Sequence, residues 1–112
     1  MTERLIKKRR NYMNLNFELN CKGFESNLVR KEELCGGAQY IFRFANDYGA
    51  SVVKYSGSNG HLSDLWELWV IKFGSISNDD WRMDFNTYLT DNVIGYLTDE
   101  DVRDYLRKIE EL

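Results

Sequence analysis

At 112 residues the chain has room for one hydrophobic core and no second one, and 43% apolar with 14% aromatic residues excludes a disordered polyelectrolyte. No apolar run approaches the roughly 18 residues that a membrane span requires. The net charge of −3 is uneven: residues 1–12 hold Arg4, Lys7, Lys8, Arg9 and Arg10 against Glu3, about +4, which leaves about −7 for the remainder.

A basic arm on an acidic body hints at nucleic-acid or other polyanion binding through Arg4, Lys7, Lys8, Arg9 and Arg10. The plainer reading, adopted here, is a solvated, disordered leader over residues 1–12 ahead of a single domain over 13–112. Met13 would serve as an alternative start, because the patterned sequence begins there. No apolar stretch of signal-peptide type follows the basic residues. Without an export signal, Cys21 and Cys35 read as reduced, partly buried residues rather than a disulfide framework. A cytoplasmic protein is expected.

From Met13 to Cys21 apolar and polar residues alternate, a strand-like period of two, with a helix running in from Leu5 as the competitor. Leu28 to Cys35 is charged in its middle (Arg30, Lys31, Glu32, Glu33), the mark of a sheet edge. Gly36-Gly37 supplies a tight turn into the central stretch, Ala38 to Ser56. That stretch predicts a β-hairpin. Tyr40, Phe42 and Phe44 point one way and Ile41, Arg43 and Ala45 the other, with a turn at Asn46-Asp47-Tyr48-Gly49 and a return through Val52, Val53 and Tyr55.

A polar loop, Ser56 to Ser63, precedes Leu65 to Phe73, which is apolar on both parities and suits a strand covered on two sides. Trp81 to Tyr88 alternates as a half-buried last strand, and residues 91–97 suggest a short turn of helix. Thr98 with Asp101 forms a capping-box signature, and Leu97 with Val102 a hydrophobic staple. Val102, Tyr105, Leu106, Ile109 and Leu112 then fall on one helical face, and Asp99/Arg103 and Asp104/Lys108 are spaced for ion pairs. The expected fold is α+β: a twisted antiparallel meander of about four to six strands with the C-terminal helix on one face. The other face needs a cover. The N-terminal segment, a second copy and the target are the candidates.

Catalytic signatures are absent from the sequence. One histidine and two cysteines fourteen residues apart match no zinc spacing, and His61 reads as solvated. Ser56, His61 and Asp64 are neighbours in one loop, whereas a triad draws on separate elements. No glycine-rich loop is followed by the lysine and hydroxyl of a phosphate loop. Neither an enzyme nor a cofactor is expected. Binding has more support. Trp66 and Trp69 have opposite parity, so one belongs to the core and the other is covered by the N-terminal segment or left to a partner. Tyr40 and Tyr55 join them as candidate contact residues. Asp79, Asp80 and Asp84 are candidates for an acidic contact that imitates nucleic-acid phosphates toward a basic groove.

The run from Gly23 to Lys54, with LWELWVIKF at 65–73 and DNVIGYLTDEDVRDYLRKIEEL at 91–112, resembles a family of small uncharacterised proteins encoded by phages and prophages of Gram-positive bacteria. The resemblance carries no activity or site residue. It implies an accessory protein that acts by binding a host protein, for instance by inhibiting a defence system such as a CRISPR nuclease. The alternatives are a homodimer or larger homo-oligomer with a structural role, and a nucleic-acid binder using residues 4–10.

Overall fold

The computed structural model describes residues 17–34, 36–54, 64–89 and 93–112. They form a six-stranded antiparallel sheet, one α-helix and a single 3-10 turn at Glu25–Asn27. The strands are β1 (Leu28–Leu34), β2 (Gly37–Arg43), β3 (Tyr48–Lys54), β4 (Trp66–Phe73), β5 (Trp81–Met83) and β6 (Ile94–Leu97), and the helix is α1 (Asp99–Glu110). Strands β1 to β5 lie side by side in chain order, and β6 returns to pair with β4. The α+β meander with a C-terminal helix is therefore present. The basic leader, Cys35, Tyr55 and the loop holding His61 lie outside the described residues.

The central hairpin has the predicted faces. Tyr40, Phe42 and Phe44 enter the main core beneath α1, with Trp66, Leu68, Val70, Val102, Leu106 and Ile109. Ile41 faces the other way and joins Ile71 and Phe73 in a smaller cluster. The turn falls earlier than expected. Tyr48 and Gly49 already belong to β3. Phe44 N–H reaches Tyr48 O, Asp47 N–H reaches Phe44 O, and Asp47 takes φ 68°. A three-residue connection closed by a left-handed residue is a favoured hairpin form. Gly36, at φ 81°, serves the β1–β2 connection, while Gly37 is in the ladder.

Strand β1 is the predicted charged edge. Leu28 stands opposite Phe42 and Arg30 opposite Ile41, so Val29 is an extra residue, a bulge. Ahead of it, Phe17 to Asn20 forms no strand, contrary to the period-two reading. The alternation still sorts burial: Leu19 is buried, Phe17 is half-buried, and Glu18 and Asn20 are exposed. The segment is held to the sheet by side chains. Leu19 N–H donates to Tyr40 Oη (3.0 Å), and Tyr40 Oη donates to Phe17 O (3.2 Å).

Two readings need correction beyond Phe73. Strand β5 ends at Met83. Asp84 N–H still reaches Val70 O, but Asp84 Oδ1 then accepts from Asn86 N–H and turns the chain off the ladder. Residues 94–97 are strand, not helix. β5 pairs only with Ile71 to Phe73, which leaves the outer edge of Trp66 to Leu68 to β6.

Helix α1 begins as predicted: Thr98 Oγ1 accepts from Asp101 N–H and Asp101 Oδ2 from Thr98 N–H, both at 3.1 Å. Leu97 and Val102 are both buried in the main core. The predicted ion pairs differ. Asp104 pairs with Arg107, and Lys108 lies over the Tyr105 ring. Asp99 accepts from Trp66 Nε1 (2.7 Å) and Asn20 N–H (3.1 Å), while Arg103 donates to Asn20 O (2.7 Å). That network fastens sheet, helix start and N-terminal segment together.

Candidate partner-binding surface

Strand parity decides which aromatic residues are available. Trp66, Leu68 and Val70 face α1, so Trp69, Ile71 and Phe73 face away from it. Trp66 is fully buried, edge-on to Tyr40 (5.7 Å) and beneath the Lys54 ammonium (4.3 Å), which pairs with Asp64 (2.6 Å). Trp66 and Tyr40 are thus core residues and are removed as contact candidates. Burial beneath the helix and the Phe17–Asn20 segment is the reason. Trp69 is half-buried on the opposite face.

The chain partly covers that opposite face with its own β4–β5 loop. Arg43 Nη1 donates to Asn78 Oδ1 (3.0 Å), its Nη2 pairs with Asp47 (2.7 Å), and its guanidinium stacks 4.7 Å from the Phe73 ring. Arg30 of β1 pairs with Asp79. Cover therefore extends over the β1 and β2 side of the face and over Phe73. Of the N-terminal segment, expected here as one candidate cover, the described part, Phe17 to Cys21, lies on the helix side instead.

The outer side is more open. Directly paired residues share a face, so Trp81 and Met83 lie beside Phe73 and Ile71. Phe85 continues the row and meets Trp69 edge-on at 5.9 Å. The large exposed hydrophobics among the described residues are Ile76 (85%), Met83 (42%), Phe85 (43%), Tyr88 (79%) and Tyr96 (65%). Four of these five fall between residues 83 and 96, a span in which β5 ends at Met83 and β6 begins at Ile94, both paired with β4. Tyr96 also holds φ 60°, a conformation costly for a bulky side chain.

The three acidic candidates have local work. Asp79 pairs with Arg30, Asp80 Oδ2 accepts from Ile76 N–H (3.4 Å), and Asp84 caps Asn86 (2.8 Å). They do not form one free acidic strip. Tyr55 and the basic residues 4–10 lie outside the described residues. Sequence reading missed Met83, Phe85, Tyr88 and Tyr96 as a group. Alternation placed Met83 and Phe85 on the buried side of a strand, but among the described residues no further strand lies beyond β5.

Among the described residues no group of three or more His, Cys, Asp or Glu side chains is placed to hold a metal. Cys21 is a free, half-buried thiol, and burial, with the Glu25 carboxylate second, pushes its pKa up. A hydrogen bond to Glu18 holds the Lys31 ammonium above its ordinary range. No helix in the described residues is long and apolar enough to cross a membrane. Compared with known proteins, the chain matches no family model, no curated protein and no solved structure.

Proposed function

We propose that this chain is a non-enzymatic accessory protein of phage or prophage origin that binds a host protein in the cytoplasm and inhibits it, a defence nuclease complex being the target class. The origin and the target class rest on the sequence resemblance alone. The binding role is supported by one observation: the exposed large hydrophobics concentrate along residues 83–96, beside a half-buried Trp69. Aromatic side chains at an exposed site bury much area against a partner at modest entropic cost, and methionine is enriched with them at interfaces.

The sheet edges favour docking through side chains over docking by strand addition. β1 is charged and bulged, and β5 and β6 have three and four residues. Charge, bulges and short length are the devices that discourage strand-to-strand pairing. They also weigh against a homo-oligomer joined edge to edge.

Two alanine variants test this reading against captured host protein. Trp66→Ala removes a core side chain and costs about 3–5 kcal/mol. Trp69→Ala combined with Phe85→Ala is expected to stay folded, with unchanged far-ultraviolet circular dichroism, and to lose binding. If both variants unfold, or the folded one binds normally, this surface is not the contact.

A further inference from the structure

We draw no further inference here: the strongest candidate, the row of Trp69, Met83 and Phe85 on the sheet face away from α1, belongs to the surface already described, and nothing in the described residues shows what covers it.

Discussion

Asn46 shows how much of this fold hangs on single polar side chains. Its Oδ1 accepts from Tyr48 N–H (2.9 Å) and shapes the central turn, while its Nδ2 donates to the carbonyls of Ile109 (3.0 Å), Glu110 (3.3 Å) and Leu112 (3.2 Å). The last carbonyls of a helix have no partner within it, so a side chain that reaches them replaces water. Asn46→Ala is expected to lower stability by about 1–2 kcal/mol in urea titration, because it strips both the turn and the helix end. An unchanged midpoint would mean that water serves equally well. Gly49 is a sharper case. A Cβ there would lie 1.9 Å from Phe42 O and 2.8 Å from Phe73 Cε1. Backbone cannot yield as a flexible side chain can, so Gly49→Ala is expected to cost about 3 kcal/mol or more, measured by thermal unfolding. The close approach lets β3 pass between β2 and β4 at the point where Phe73 and Arg43 stack. Sequence reading assigned this glycine to the turn, because spacing alone does not distinguish a turn glycine from one that makes room.

Among the elements, α1 was the most legible. Its start depends on groups close in sequence, Thr98 and Asp101, and its buried face on a simple period. Thr98→Ala is expected to cost about 1 kcal/mol, checked by chemical denaturation, with serine restoring most of it. The central hairpin and the charged edge β1 were readable for the same reason: their pattern is local. What failed was set by distant neighbours. The end of β5 is the exception with a local signal, since Asp84 and Thr87 are turn formers whose side chains bond backbone N–H groups two residues on. Strand β6 had no such signal. It exists because β4 runs eight residues and β5 pairs with three of them, so the exposed backbone at Trp66 to Leu68 takes what the chain next supplies. The ion pairs of α1 went astray similarly. Asp99 and Arg103 are spaced for each other, yet Trp66 and Asn20 claim them.

At the level of the whole molecule, the sheet divides its faces. One is sealed by α1 and by the Phe17–Asn20 segment around Trp66. The other is half sealed by the chain's own loop, through Arg30 with Asp79 and Arg43 with Asn78, and opens toward Met83 and Phe85. The sequence indicated that one tryptophan of the pair would be core and the other would face away. It did not indicate that Asp79 of the β4–β5 loop would pair with Arg30 of β1. That outcome depends on which loop lies over which strand. The most direct test is site-specific photo-crosslinking in host cells, with benzoylphenylalanine in place of Phe85 and, as control, in place of Glu100 on the exposed side of α1. A discrete adduct from position 85 with none from position 100 is the predicted result. An adduct from position 100 alone, or none from either, would contradict a partner seated on the open half of the sheet.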